Sequence, residues 1–324
     1  MLSRRSPTLR KTLRITLTAG ALAGAAALAF TTRGAHAEDA AGDQAEQNER
    51  CAIRLSIALV GKSPDAQLMS STSPQGAVDA MLASPEFADR FASFLNTKFN
   101  GAATTATEDT VYAMTKYVIT NDKPWSDMFV GPYKVVPTAT GMDVQADPNG
   151  LGYFRSPTWM KRYAGNESAG YMLSASFRIL SNTTGLVLTP SVGLPDDDRT
   201  ETGRLQSPCK SCHFDQWYAL DKVARLLPLR KGQGDLMTFT PPTEGPQQVA
   251  GKTLANDKEL VNALVSSDAF RFAQCRNVFE FLYGRPENQC EAPLFDKCVD
   301  ALDQQKTIKA AVAAVAKDPS FCSN

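Results

Sequence analysis

The amino-acid sequence predicts a mainly α-helical protein with long irregular loops and little or no β-structure. Apolar residues recur at helical spacing, as in Phe87, Phe91 and Leu95, which would share one face of a helix. The alternation of apolar and polar residues that is typical of half-buried strands is nearly absent. Two stretches rich in Gly, Pro and polar residues, 134–167 and 183–204, predict loops between the helical segments.

The composition excludes one broad class of function. The 324 residues contain 34 Lys and Arg against 34 Asp and Glu, so the net charge of zero excludes a nucleic-acid binder that relies on bulk basicity. A hydrophobic content of 43% is that of an ordinary globular protein with a substantial core. With only two histidines, most histidine-based chemistry is excluded as well.

The first 37 residues predict a cleavable secretory signal peptide. Residues 1–14 are basic and lack acids, Ile15 to Phe30 form a short apolar run, and Ala35-His36-Ala37 provides an A-x-A cleavage site. The alternative is a single membrane anchor, but the run is short and rich in Gly and Ala. We therefore expect cleavage after Ala37 and export to the periplasm or cell envelope as a soluble protein.

Cleavage would change the counts. The remaining 287 residues would hold 28 basic and 34 acidic residues, a net charge of −6, and a single histidine, His213. No later apolar run is long enough to cross a bilayer, so no transmembrane segment is expected after cleavage. The charge indicates a weak preference for partners with a basic surface.

Three regions are predicted to follow the signal peptide. Residues 38–50 lack apolar periodicity and predict a disordered leader. Residues 51–200 predict an N-terminal helical region, with helix starts at Ser84-Pro85-Glu86 and near residue 108. Residues 201–324 predict a second helical region packed with the first as one body. Its helices are expected at about 257–266, 268–283, 294–303 and 307–317.

A weak internal repeat runs through these helices. The pattern Val-x-Ala-x-x-x-Ser-x-x-Phe begins at Val78 and again at Val261, and it recurs more loosely from Val312 with Asp in place of Ser. Each copy predicts a helix, a polar cap for the next helix and a Phe that packs at the turn between them. Unrelated pairs of helices can show the same sequence pattern.

The segment Cys209-Lys210-Ser211-Cys212-His213 is C-x-x-C-H, the attachment signature of a c-type haem. Cys209 and Cys212 would form thioethers with the haem vinyl groups, and His213 would bind the iron as the proximal axial ligand. Export agrees with this prediction because covalent haem is attached outside the cytoplasm. Two alternatives stay open: a zinc site completed by a fourth Cys, or a disulfide pair beside a bystander His.

The ligand on the other side of the iron cannot be a second histidine. A methionine sulfur is the usual alternative and raises the reduction potential. Met237 is the first choice because it lies in a Pro-bounded loop, 24 residues after His213. Met172 and Met160 are the alternatives, and an open or water-bound iron is a further one.

Five other cysteines remain, namely Cys51, Cys275, Cys290, Cys298 and Cys322. In an oxidising compartment they should form two disulfide bonds and leave one free thiol. The sequence does not select among the 15 possible arrangements. At least one bond within the C-terminal helices is expected, since four of the five lie in the last 50 residues.

Several segments resemble the planctomycete- and myxobacterial-type cytochrome c domain proteins. They are CKSCHFD, the tail VNALVSSDAFRFAQCRNVFEFLYGRPE, the opening RLSIALVGKSPD with AMLASPEFADRF, and the middle segment YVITNDKPWSDMFVGPYKVV. The resemblance implies a mono-haem protein attached through Cys209, Cys212 and His213. Family members commonly carry Asp-Pro shortly after the haem His, where this chain has Phe214-Asp215-Gln216-Trp217. The family is largely uncharacterised, so the resemblance implies no activity.

The sequence therefore predicts an exported mono-haem c-type cytochrome that transfers electrons to or from a redox partner protein. A haem enzyme or gas sensor with an open iron site is one alternative. A structural or assembly subunit that uses haem as a folding staple is another, because 287 residues are many for a simple one-haem shuttle.

Overall fold

The computed structural model describes residues 33–100, 109–189 and 198–323. The predicted signal peptide, residues 1–37, lies outside the described residues except for its last five. The chain divides into two units, residues 1–44 and residues 45–324, and the second contains the candidate site and the core. Within the described ranges, no helix is long and apolar enough to cross a membrane.

The described part of the chain is mainly helical, as the sequence predicts. Its helices are α1 Arg33–Val60, α2 Ala66–Met69, α3 Val78–Leu82, α4 Pro85–Asn100, α5 Thr110–Thr120, α6 Asp127–Val130, α7 Pro157–Arg162, α8 Leu173–Thr184, α9 Glu201–Arg204, α10 Leu220–Ala224, α11 Asp257–Val265, α12 Asp268–Tyr283, α13 Ala292–Gln305, α14 Ile308–Ala316 and α15 Pro319–Ser323. Three antiparallel strand pairs accompany them: β1 Tyr133–Thr138 with β2 Gly141–Ala146, β3 Leu229–Lys231 with β4 Thr238–Thr240, and β5 Gln247–Val249 with β6 Lys252–Leu254.

Helix α1 corrects the prediction of a disordered leader, because it includes residues 38–50. The segment is rich in Ala, Glu and Gln, which are good helix formers even without an apolar face. Arg50 and Glu46 form an ion pair one helical turn apart. The helix then continues into the buried turn that begins at Cys51, so tertiary packing anchors its C-terminal half.

The stretch 134–167, predicted to be mostly loop, contains the β1–β2 hairpin and helix α7. Gly141 opens β2 with a positive φ of 142°, which lets the chain reverse. Val135 is the one fully buried side chain of the hairpin, and its backbone amide donates a hydrogen bond to the hydroxyl oxygen of Ser156 at 2.9 Å. With so little of the hairpin buried, the sequence carries almost none of the alternation that would have indicated it.

The four C-terminal helices α11 to α14 confirm the predicted segments to within two residues at each end. The start of α11 is capped by Asn256, whose side-chain oxygen accepts from the Glu259 amide at 2.9 Å. Gly284 ends α12 with a left-handed φ of 70°, a conformation that favours glycine. The end signals in this region were therefore interpreted correctly.

Ser84 and Ser267, the cap positions of two copies of the internal repeat, have the same geometry. Each hydroxyl accepts a hydrogen bond from the amide of the repeat's Phe, Phe87 or Phe270, at 3.3 Å. Each also donates to the carbonyl three residues earlier. In the third copy, Asp318 precedes α15 in the corresponding place. The cap geometry is therefore shared by the first two copies, whereas in the third the Asp318 carboxylate accepts from the Ser320 amide.

The core is centred on aromatic side chains and on one buried amide. The ring of Phe129 contacts a set of aromatic neighbours from distant segments: Phe99, Trp125, Tyr153, Phe154 and Phe270. Buried Gln274 of α12 accepts from the Trp125 indole at 3.0 Å and donates to the carbonyls of Asn182 and Thr183. Helices α8 and α12, from the two predicted helical regions, therefore share one core.

Two disulfide bonds are present, Cys51–Cys322 between α1 and α15, and Cys275–Cys298 between α12 and α13. Cys290 is free and exposed. The pairing matches the expected two bonds and one free thiol, with one bond inside the C-terminal helices.

The Cys275–Cys298 bond closes a span of 23 residues, and we expect its removal to destabilise the fold. The double variant Cys275→Ala/Cys298→Ala should lose about 3 kcal/mol of unfolding free energy, because the unfolded chain regains loop entropy. Urea denaturation without reductant measures this. The control Cys290→Ala should stay within about 0.5 kcal/mol of wild type, and equal midpoints for all three proteins would contradict the bond.

Candidate haem-binding site

The C-x-x-C-H segment lies on a short helical turn. A π-helical turn spans Ser211–Asp215 and carries Cys212 and His213, while Cys209 stands just before it. Both thiols are unbonded and partly exposed. The imidazole of His213 is 23% exposed, so one edge of the ring faces solvent. The turn thus presents two thiols and one imidazole together, without a disulfide between Cys209 and Cys212.

The imidazole of His213 is held by a buried carboxylate. Its Nδ1 lies 2.6 Å from Oδ2 of Asp221, the second residue of α10. The side chain of Asp221 is only 1% exposed. A carboxylate only accepts hydrogen bonds, so Nδ1 carries a proton and donates it, and in the neutral imidazole Nε2 keeps its lone pair. This is the tautomer that a metal-binding histidine needs.

Asp221 stays ionised in this buried position. Burial alone would raise the pKa of its carboxyl group, but hydrogen bonds from His213 and Arg204, together with the Arg204 charge, hold that pKa below its usual value. The carboxylate therefore presents a full negative charge to the imidazole at neutral pH.

Arg204, at the end of α9, orients the carboxylate. Its Nε contacts both oxygens of Asp221 at 3.1 and 3.2 Å, and its Nη2 donates to Oδ1 at 2.8 Å. A second carboxylate, Glu167, accepts from Nη1 of the same guanidinium at 3.1 Å. Since Arg204 is itself only 5% exposed, the planar fork leaves Asp221 a single orientation.

Tyr218 contacts the same turn through Cys212. Its hydroxyl donates to Sγ of Cys212 at 3.3 Å. This hydrogen bond to Cys212 and partial burial raise the pKa of Tyr218 to about 12, so the phenol stays a donor at neutral pH. The sulfur of Cys212 is thereby held at a defined place on the turn.

Exposed apolar side chains surround the motif in the chain. Leu205 and Trp217, each four residues from an end of C-x-x-C-H, are 42% and 46% exposed, and Leu236 is 84% exposed. Phe214 is partly exposed as well. Leu205, Phe214 and Trp217 thus offer exposed or partly exposed apolar surface within five residues of Cys209 or Cys212. The donor set of two free thiols and one imidazole with an available Nε2 fits a covalent haem.

The three methionines proposed as distal ligands lie in different settings. Met237 is partly buried in the turn before β4, in the hairpin that follows α10. Met172 is 1% exposed and belongs to the core at the start of α8. Met160 lies in α7 and packs partly buried against the core. Met237 and Met160 are thus both partly buried, whereas Met172 is fully buried, and the role of Met237 as a ligand stays a prediction.

The zinc alternative requires a fourth cysteine. Four of the five remaining cysteines are engaged in the two disulfide bonds, and only Cys290 is free. Among the residues that the structure describes, no group of three or more His, Cys, Asp and Glu side chains is arranged to hold a metal ion.

No protein-family model, curated protein or solved structure matches the chain. The resemblance to cytochrome c domain proteins therefore stays a prediction, and function is inferred from the chemistry of the site.

The sequence indicates the three proposed attachment residues, but not the buried side chains that hold His213 in place. Asp221 is not among the site residues predicted from the sequence, whereas the structure buries it against His213. One signal was available: Asp221 is the only acid in the otherwise apolar or basic segment Ala219 to Arg230. Arg204 and Glu167 carried no comparable signal, because their contacts span 17 and 37 residues and so do not have the i, i+3 or i, i+4 spacing of a local ion pair.

Replacing Arg204 by methionine should destabilise the protein by about 3 kcal/mol, because the buried charge of Asp221 would lose its main partner. Arg199→Met is the matched control, since this arginine is exposed in the same segment, and it should change stability by less than about 0.5 kcal/mol. Urea denaturation followed by far-UV circular dichroism gives both values. A loss as small as that of the control would contradict the buried ion pair.

Proposed function

We propose that the protein is an exported mono-haem c-type cytochrome that transfers electrons. The observation that carries the haem assignment is the hydrogen bond between Nδ1 of His213 and Asp221, which leaves Nε2 of the neutral imidazole for a metal beside two unbonded thiols. When bound, haem would supply a one-electron iron couple. Without it, a partly exposed imidazole next to two free thiols has no evident role in an oxidising compartment.

Each residue of the site has a separate task. Cys209 and Cys212 tether the porphyrin, so that the cofactor stays in place in either oxidation state. His213 provides the proximal nitrogen. Tyr218 holds the sulfur of Cys212, and Met237 is the first candidate for the distal sulfur. The exposed ring of Trp217 supplies apolar surface where a partner protein could approach the haem edge.

Export is supported by the cysteines as well as by the N-terminal sequence. Two disulfide bonds are rare in a reducing cytosol and common in the periplasm. The apparatus that attaches haem to C-x-x-C-H also acts outside the cytoplasm. We therefore place the mature protein in the periplasm or cell envelope, with a redox partner whose surface is basic.

A haem enzyme or gas sensor with an open iron site is the second candidate. The hydrogen bond that Nδ1 of the proximal His213 donates to Asp221 favours it, because a carboxylate partner makes imidazole a stronger electron donor to iron. An electron-transfer protein instead needs both axial positions filled. The occupant of the distal position decides between the two.

The attachment is tested by expression with a haem-maturation system. Wild-type protein should retain haem through denaturation, with a pyridine haemochrome spectrum of a haem linked by two thioethers. Cys209→Ala or Cys212→Ala should shift that spectrum towards a single link, and the double variant should hold no covalent haem. Cys290→Ala is the control and should match wild type. Haem that is fully extracted from wild type would overturn the proposal.

The distal ligand is tested by carbon monoxide. Reduced wild-type protein should not bind carbon monoxide if a methionine occupies the position, and Met237→Ala should bind it readily. Met142→Ala, another partly buried methionine in a hairpin, is the control and should behave as wild type. Rapid binding by wild type would support the enzyme or sensor instead. Binding by Met172→Ala or Met160→Ala alone would move the assignment to that residue.

A further inference from the structure

We propose that Asp221 is a positioning residue that fixes the ring of His213 and lowers the reduction potential of the bound iron. The inference rests on the proposed function, because it needs haem on Cys209 and Cys212. It adds a specific claim to that function: the potential is set by a carboxylate that comes from a different helix than the attachment motif.

The first argument is geometric. A bond of 2.6 Å between Nδ1 of His213 and Oδ2 of Asp221 prevents rotation of the imidazole about its own axis. The carboxylate cannot follow a rotating ring, because both of its oxygens are held by Arg204. The ring plane, and with it the direction of Nε2, is therefore determined by Asp221 before any metal binds.

The second argument concerns charge. Asp221, Arg204 and Glu167 form a chain of two carboxylates and one guanidinium, with contacts of 2.8 and 3.1 Å. The three groups together carry one net negative charge, so Arg204 orients Asp221 without cancelling the charge of the cluster. A negative charge near the proximal ligand stabilises ferric iron, which has one more positive charge than ferrous iron.

The third argument concerns the imidazole itself. A carboxylate that accepts the Nδ1 proton raises the basicity of Nε2, and the effect is strong where water is excluded. With Asp221 1% exposed and Arg204 5% exposed, solvent screens this interaction little. A more basic ligand donates more electron density to iron and again favours the ferric state, so both effects lower the potential.

A purely structural role for Asp221 makes a different prediction. If Asp221 served only as the ion-pair partner of Arg204, its replacement would change the stability of the protein and leave the reduction potential of the haem unchanged. The midpoint potential of the attached haem separates the two roles, whereas stability alone does not.

The test is a spectroelectrochemical titration of purified holoprotein at fixed pH. Asp221→Asn keeps the shape of the side chain and removes its charge, and it should shift the equilibrium at least tenfold towards ferrous iron, which is about 59 mV for one electron. Asp221→Glu should restore most of the wild-type value. Asp215→Asn is the matched control, because its carboxylate is 56% exposed on the same turn, and it should change the equilibrium less than twofold.

A second variant keeps the proposal testable if Asp221→Asn does not accumulate. Glu167→Gln removes the charge of Glu167 without changing a group that contacts His213. It should shift the equilibrium towards ferrous iron by about threefold, which raises the potential by ~28 mV. Unchanged potential in Asp221→Asn, or in Glu167→Gln where that variant alone is obtained, overturns the inference. Wild-type protein without covalent haem overturns the proposed function as well, so the two failures are distinguishable.

Discussion

The buried carboxylate of Asp221 is the constraint on which the site depends. An ionised carboxylate removed from water costs several kcal/mol unless charged or hydrogen-bonding partners surround it. Here the partners are Arg204 and His213, so burial of one acid requires α9, α10 and the C-x-x-C-H turn to meet at a single point. The imidazole is oriented as a consequence.

That meeting point is supported by the rest of the fold rather than by the motif. Glu167, which binds the outer side of Arg204, is held through its backbone carbonyl by the guanidinium of Arg230 at 2.6 Å. Arg230 lies in β3 and its amide donates to Gly170, which ties the hairpin to the segment that leads into α8. Helix α8 packs on α10 and α12. The orientation of one side chain thus draws on elements from both halves of the chain.

The predictability of each feature followed the range of the interactions behind it. Helix ends were predicted correctly because caps such as Asn256 and Gly284 act within four residues. Cys209, Cys212 and His213 were proposed as a site because their spacing is the one that haem attachment would require. The contact between Arg204 and Asp221 spans 17 residues and that between Arg204 and Glu167 spans 37. No local pattern encodes such pairs. Residues 38–50 were not predicted as helix because they lack an apolar face. Their helix propensity alone is high, and propensity leaves no periodic pattern in the sequence.

The buried cluster of Glu167, Arg204 and Asp221 gives a physical reason for the length of the chain. The proposed haem attachment uses few residues, since two cysteines and one histidine lie within five positions. Holding a charged, water-free partner against that imidazole is a larger task, because every group of the chain Glu167–Arg204–Asp221 must itself be buried or satisfied. A short polypeptide has too little core to bury such a cluster. A core built around α8 and α12 has enough, which gives a physical reason for one haem motif to stand in a protein of this size.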